Sequence, residues 1–114
     1  MSDREIIEKD QFPPTLARRR ELAEGLYAVM SIEEMERFLV DLCTPAELRA
    51  LAERWHVAKL LDSTDLSYRD INAKTGVSTT TIGRVARFLK DEPHQGYRAV
   101  LDRQAKQKSE ISEK

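Results

Sequence analysis

A run of threonines and arginines within residues 79–87 is the part of the chain best suited to contact a nucleic acid. Threonine can hydrogen-bond a base or touch a thymine methyl group, and arginine can pair with guanine or with a phosphate. Helical periodicity places five of these residues on one face: Thr79, Thr80, Gly83, Arg84 and Arg87. A helix with this face favours contact with the major groove of double-stranded DNA.

Two short helices joined by a tight turn are predicted around this face, over residues 67–90. Ser67 and Asp70 have the spacing of a capping box at the start of the first helix, and Gly76 is expected to end it. Ser78 is expected to cap the second helix. The inner stripe of that helix is predicted to be Ile82, Val85 and Leu89. Short helices that meet at a glycine-containing turn are typical of a helix-turn-helix.

Three more residues are predicted to contact DNA beside this face. Arg69, in the first helix, is placed to reach the backbone or a flanking base. Ser78 and Thr81 lie at the start of the second helix, whose free backbone amides suit a phosphate. Residues 71–90 contain no Asp or Glu, although these make up 20 of the 114 residues. Since the formal net charge is −1, any attraction to DNA is expected to be local to this segment.

Asn72 departs from the usual helix-turn-helix pattern. The residue four positions before the turn glycine is usually small, because the two helices approach closely there, and asparagine is a modest intrusion. The alternative structure for residues 67–90 is an ordinary pair of helices packed in a core. An acid-free outer face rich in threonine and arginine is not needed for packing alone, which favours the DNA-binding interpretation.

The remaining sequence predicts an all-α fold of about six helices. Capping patterns at Ser31 and Thr44 each precede an apolar stripe with helical spacing. Pro13 and Pro14 are expected to open an earlier helix, and the last helix is predicted over residues 97–106. The predicted organisation is a flexible arm (1–12), a single helical domain (13–106) and a flexible tail (107–114).

Composition argues against several classes of protein. No apolar run approaches the roughly 20 residues that span a membrane, and the N-terminus has no apolar core of a signal peptide. The single cysteine, Cys43, cannot form an internal disulfide, so we expect a cytoplasmic, nucleoid-associated protein. His56 and His94 are far apart and Cys43 has no partner at metal-ligand spacing, so neither a metal nor another cofactor is expected. No arrangement of acids, bases and nucleophiles indicates an enzyme.

Four segments resemble the Trp-repressor superfamily, and most of all its YerC/YecD-type branch. They are LCTP at 42–45, LAERWHVAKLL at 51–61, TGVSTTTIGRVAR at 75–87 and GYRAVLDR at 96–103. The resemblance covers about half of the chain. It implies an intertwined, all-helical homodimer with two helix-turn-helix heads. It also implies DNA sites with two-fold symmetry and half-sites about one helical turn apart.

The resemblance also implies a tryptophan pocket, but with altered residues. Arg54 and Arg84 match the two arginines that hold the ligand, and Thr44 matches a third pocket position. Val85 replaces a glycine that leaves room for the indole, and Phe88 replaces a serine that contacts the amino group of the ligand. We expect Val85 and Phe88 to fill the pocket, so that tryptophan is neither bound nor needed.

Three hypotheses for the function therefore stand. The first is a homodimeric transcription regulator, acting as a repressor without a tryptophan corepressor. The second is a regulator that responds to a different small molecule, an anion held by Arg54 and Arg84. The third is a protein-interaction adaptor whose helix pair packs on another protein. Steep loss of affinity with added salt would distinguish DNA binding from the third.

Overall fold

The computed structural model describes residues 15–112, and all of their regular secondary structure is helical. The six helices of this part of the chain are α1 (Leu16–Tyr27), α2 (Ile32–Leu42), α3 (Pro45–Ser63), α4 (Tyr68–Thr75), α5 (Thr79–Lys90) and α6 (Gly96–Ser112). The predicted all-α fold of about six helices is confirmed. The chain divides into an N-terminal unit that ends at Thr44 and a C-terminal unit that begins at Pro45.

Side-chain caps begin both helices of the N-terminal unit. The hydroxyl oxygen of Thr15 accepts a hydrogen bond from the amide of Arg18, at 3.1 Å. Ser31 caps α2 as predicted, because its hydroxyl accepts from the amide of Glu34. The Glu34 carboxylate accepts from the amide of Met30, at 2.9 Å, one residue before the cap. Each cap satisfies an amide that the first turn of a helix leaves without a partner.

No residue between 15 and 44 is buried in the single chain. Large apolar side chains of this unit stand in solvent, and Tyr27 and Met30 are 93% and 87% exposed. The others that are exposed are Leu16, Leu22, Ile32, Val40 and Leu42. Such a concentration of exposed apolar surface is unusual for a folded monomer.

The C-terminal unit holds the hydrophobic core. Its central cluster draws side chains from α3, α4, the turn after α4, and α5: Val57, Ala58, Ile71, Val77, Ile82 and Val85. Ion pairs from Arg98 in α6 to Asp62 at the end of α3, and to Asp102 one turn along α6, add to this packing. The core therefore fixes α4 and α5 against α3, which gives the helix pair a defined geometry.

The ends of the chain differ in part from the predicted organisation. The last helix continues to Ser112 instead of ending near residue 106, so residues 107–112, predicted to lie in a flexible tail, are helical. The predicted arm and the helix opening at Pro13 lie outside the described residues. Within residues 15–112, no helix is both long and apolar enough to cross a membrane.

Candidate nucleic-acid interface

Helix α4 begins and ends at the predicted residues. The Ser67 hydroxyl accepts from the amide of Asp70, and the Asp70 carboxylate accepts from the amide of Ser67, both at 3.1 Å. This reciprocal pair is the capping box that the sequence predicts. Gly76 ends the helix in the left-handed region, with φ of 78°, and its amide donates to the carbonyl of Asn72. Glycine is favoured here because an L side chain would be strained at this φ.

Asn72 stabilises the turn between α4 and α5. Its side-chain amide donates to the carbonyl of Val77, at 2.8 Å, across the turn. Thr75 makes a second connection, because its hydroxyl donates to the carbonyl of Ile71 and accepts from the amide of Val77. Sequence reasoning treated Asn72 only as an intrusion between the helices. The structure shows that its polar group holds the turn in place.

The inner face of α5 packs on the core. Ser78 caps the helix as predicted, with its hydroxyl accepting from the amide of Thr81 at 3.1 Å. The buried residues follow the i, i+3, i+4, i+7 spacing of one helix face: Ile82, Val85, Ala86 and Leu89. Three of these were predicted, and Ala86 is an additional one. With this face fixed, the opposite face of α5 must point away from the core.

The outer face of α5 carries most of the predicted contact residues in exposed positions. Thr79, Thr80, Arg84 and Arg87 are exposed on α5, and Arg69 is exposed on α4. Helical periodicity puts Thr80, Arg84 and Arg87 on one stripe. No acidic side chain lies on this helix. The structure thus brings Thr80, Arg84 and Arg87 to one exposed surface of α5.

Three other predicted contact residues have different surroundings. Thr81 is half-buried, and its hydroxyl accepts a hydrogen bond from the Ser78 hydroxyl at 3.1 Å. These two side chains are therefore already engaged in starting the helix. Gly83 is half-buried, yet a Cβ built on it would meet no heavy atom within 4 Å beyond its chain neighbours and the backbone of its own helix. Open space lies beside the backbone at this point of the outer face.

Phe88 contacts both arginines of the outer face. The Cζ atom of Arg84 lies 4.4 Å from the centroid of the Phe88 ring, and that of Arg87 lies 5.2 Å from it. Both distances are within the range of cation–π attraction. Sequence reasoning assigned Phe88 only to a ligand pocket. The i, i+4 spacing of Arg84 and Phe88 was the signal for this contact, since residues so spaced are neighbours on a helix.

Glu92 is a further neighbour of this face that the sequence analysis did not identify. Its carboxylate lies 3.3 Å from the Nε atom of Arg87. The pair crosses the end of α5, where no regular helical spacing predicts a contact. Because both side chains are partly exposed, water screens this attraction and the pair is weak. Arg87 can therefore exchange this carboxylate for a phosphate.

A cleft of about 600 Å³ opens between α3, α5 and α6. Arg54 and Arg84, the two predicted ligand-binding arginines, both line it, together with Val85 and Phe88. In the single chain Val85 and Phe88 form part of the wall of an open cleft. The expectation that these two side chains exclude tryptophan stays a prediction. Thr44, the third predicted ligand-binding residue, ends the N-terminal unit and is not part of this cleft within the C-terminal unit.

Apolar and aromatic side chains make up much of the rest of the cleft wall. The rings of Trp55 and Tyr97 are stacked, with centroids 6.3 Å apart and planes inclined by 20°. In the part of the chain that the structure describes, no three His, Cys, Asp or Glu side chains come close enough together to hold a metal ion. The cleft wall is thus mainly apolar, and Arg54 and Arg84 add positive charge to it.

The sequence is similar to a known protein family and to a protein of Bacillus subtilis. The sequence model of the Trp repressor protein family matches residues 18–105. The chain is also 37% identical, over 100 residues, to the uncharacterized protein YerC of Bacillus subtilis (strain 168), a match that covers 85% of this chain and 94% of that protein. No solved structure gave a significant match.

The helix-turn-helix and the family match together define the class of protein. It is a helix-turn-helix protein of a DNA-binding regulator family, which is not a family of enzymes. The chain belongs to the Trp repressor family.

Proposed function

We propose that the protein is a sequence-specific transcriptional regulator that binds operator DNA as a homodimer and acts as a repressor. The observation that carries this proposal is the outer face of α5, where exposed Thr80, Arg84 and Arg87 share one stripe without an acidic residue. On this proposal α5 enters the major groove, and Arg69 on α4 contacts the backbone. Ser78 and Thr81 contribute through the amides of the helix start that they order.

The exposed apolar surface of the N-terminal unit supports a homodimer. No residue from 15 to 44 is buried, so α1 and α2 have no closed core of their own within one chain. A second copy of the chain would cover side chains such as Tyr27 and Met30, as the family resemblance implies. The two heads would then read half-sites about one helical turn apart. Sedimentation or light scattering should give twice the monomer mass, and Tyr27→Asp should shift the protein toward the monomer.

Operator selection from genomic DNA fragments tests DNA binding and site symmetry together. On a selected fragment, Arg84→Ala and Arg87→Ala should each weaken binding by about tenfold or more, since a good arginine–base contact contributes about 1–3 kcal/mol. Arg103→Ala is the control. Arg103 is exposed on α6, so this variant removes the same charge without altering α5 and should have little effect. If Arg84→Ala and Arg87→Ala both leave affinity unchanged, α5 is not the recognition helix.

The surroundings of Val85 and Phe88 support regulation without a tryptophan corepressor. Val85 is 1% exposed and belongs to the core cluster, so it cannot move aside for an indole without disturbing that core. One face of Phe88 is occupied by Arg84. Calorimetry should therefore detect no binding of L-tryptophan, and micromolar affinity would contradict this part of the proposal.

The open cleft favours a second candidate function, a regulator that responds to another small molecule. Arg54 and Arg84 on a mainly apolar wall would suit a carboxylate whose apolar body is smaller than an indole and fits beside Val85 and Phe88. A ligand of the native state raises the apparent stability, so a thermal-shift screen of amino acids and other carboxylates tests this candidate. Arg54→Ala should abolish any shift that arises in the cleft, whereas Arg103→Ala should leave it.

A further inference from the structure

We propose that Phe88 is a positioning residue, which holds Arg84 and steadies Arg87 in the orientation that contacts DNA. The inference rests on the proposed DNA binding and adds a role for a side chain that does not itself reach a base. Its basis is the contact of one aromatic ring with two exposed guanidinium groups, at 4.4 Å and 5.2 Å.

The position of Phe88 on α5 makes this contact a local property of the helix. Arg84 lies one turn before Phe88, and long side chains on a helix meet at this spacing. The positive group of Arg84 is attracted to the electron-rich face of the ring. The Cζ atom of Arg87 lies 5.2 Å from the centroid of the same ring, which steadies this side chain as well, whereas the Glu92 carboxylate competes with a phosphate for it. Both arginines thus have a preferred place before DNA arrives.

Contact with the ring leaves hydrogen-bonding capacity of Arg84 available. A guanidinium group has five N–H donors in a fixed fork, and a ring on one side of it can face only some of them. The donors can therefore still form a bidentate pair with guanine or a phosphate. A free arginine loses much rotamer freedom when it binds, and prior ordering reduces that loss. Phe88 would in this way raise DNA affinity without an additional contact to DNA.

A packing role alone does not account for Phe88. The core-facing residues of α5 are Ile82, Val85, Ala86 and Leu89, and all four are buried. Phe88 is only half-buried and borders the open cleft. It lies between the inner and outer faces of the helix, where its ring can touch the arginines. An aliphatic side chain of similar size would preserve its apolar contacts but not the attraction to a cation.

The experiment compares full-length variants on one selected operator fragment. Phe88→Leu should weaken binding about two- to fivefold at each half-site, and about four- to twenty-fivefold for a dimer that uses both. Phe88→Tyr keeps the aromatic face and should bind within about twofold of the wild-type chain. In an Arg84→Ala background, Phe88→Leu should cause a smaller further loss, because only the longer contact of the ring with Arg87 remains.

Two results would overturn the inference. One is equal binding by Phe88→Leu and the wild-type chain. The other is the same loss in the Arg84→Ala background, which would show that the ring acts through packing. Circular dichroism and thermal melting of each variant identify losses that follow from unfolding.

Nuclear magnetic resonance of the free protein tests the stack without DNA. The Arg84 side-chain protons should carry an upfield ring-current shift that Phe88→Leu removes and Phe88→Tyr keeps. Absence of this shift in the wild-type chain overturns the positioning role, whatever the DNA results. If the shift is present but no fragment binds, the proposed function fails and the DNA role of Phe88 fails with it. The two failures are therefore distinguishable.

Discussion

Gly83 lowers the stability of α5, and no contact within the described residues requires a glycine at this position. It lies in the interior of the helix Thr79–Lys90, where glycine costs backbone entropy. Among the described glycines only Gly76 has a positive φ, so the backbone conformation at Gly83 does not require glycine. A Cβ at this position would meet no heavy atom within 4 Å beyond its chain neighbours and the backbone of its own helix. Gly83→Ala therefore tests whether DNA binding requires a glycine at a position where the fold does not.

The fold should become more stable in the Gly83→Ala variant. The difference in helix propensity predicts a rise in the free energy of unfolding of about 0.5–1 kcal/mol. With no clash to offset it, the melting temperature should rise by roughly 2–8 °C for a chain of this size. Circular dichroism during heating measures this change, at one fixed chain concentration because dimerisation would also alter the midpoint.

DNA binding should change in the opposite direction. Gly83 lies on the outer face among Thr79, Thr80 and Arg84, and an added methyl group would occupy the open space through which a base or sugar approaches the helix. We expect an affinity loss of about tenfold, which corresponds to about 1.4 kcal/mol per bound dimer. Fluorescence anisotropy with the selected operator measures it.

Ala105→Gly is the matched control for Gly83→Ala. Ala105 is exposed in the interior of α6, so this variant should lose about as much stability as Gly83→Ala adds while its operator affinity stays unchanged. A more stable Gly83→Ala chain with unchanged operator affinity would refute the placement of Gly83 at the DNA surface. A less stable chain would refute the reasoning about open space.

Two further substitutions test neighbouring contacts. Glu92→Gln removes the carboxylate 3.3 Å from the Arg87 Nε, so operator affinity should rise about two- to fivefold at low salt and less at high salt. If Glu92→Gln and the wild-type chain bind the operator equally well at every salt concentration, Arg87 does not contact a phosphate. Asn72→Ala removes the hydrogen bond to the Val77 carbonyl and should lower the free energy of unfolding by about 0.5–1.5 kcal/mol, measured in urea. A stability increase would show instead that close helix approach outweighs the hydrogen bond.

The sequence predicted best those features that depend on residues close together in the chain. The caps at Ser31, Ser67 and Ser78 and the helix end at Gly76 are all confirmed, because each needs only a few neighbouring residues. The inner stripe of α5 is confirmed for the same reason. Helical spacing alone also separated the exposed outer face of α5 from the core.

Features that depend on side-chain direction were harder to predict. The identity of Asn72 suggested crowding, and only the path of the turn shows that its amide reaches the Val77 carbonyl. Phe88 was expected to fill the cleft, yet its ring is in the cleft wall, in contact with Arg84. The helical stretch 107–112 escaped prediction because its polar sequence has little apolar periodicity.

The charge distribution connects the outer face of α5 to the proposed dimer. Residues 71–90 supply only four cations, and Glu92 competes for one of them, Arg87. Each phosphate that a protein neutralises adds about 0.9 to the slope of log affinity against log salt, so one head with few such contacts would bind weakly. Two linked heads make the second contact intramolecular, which raises the overall affinity without more charge. The exposed apolar surface of residues 15–44 would then serve DNA binding indirectly, because it would join two heads that are each too weakly charged to bind tightly alone.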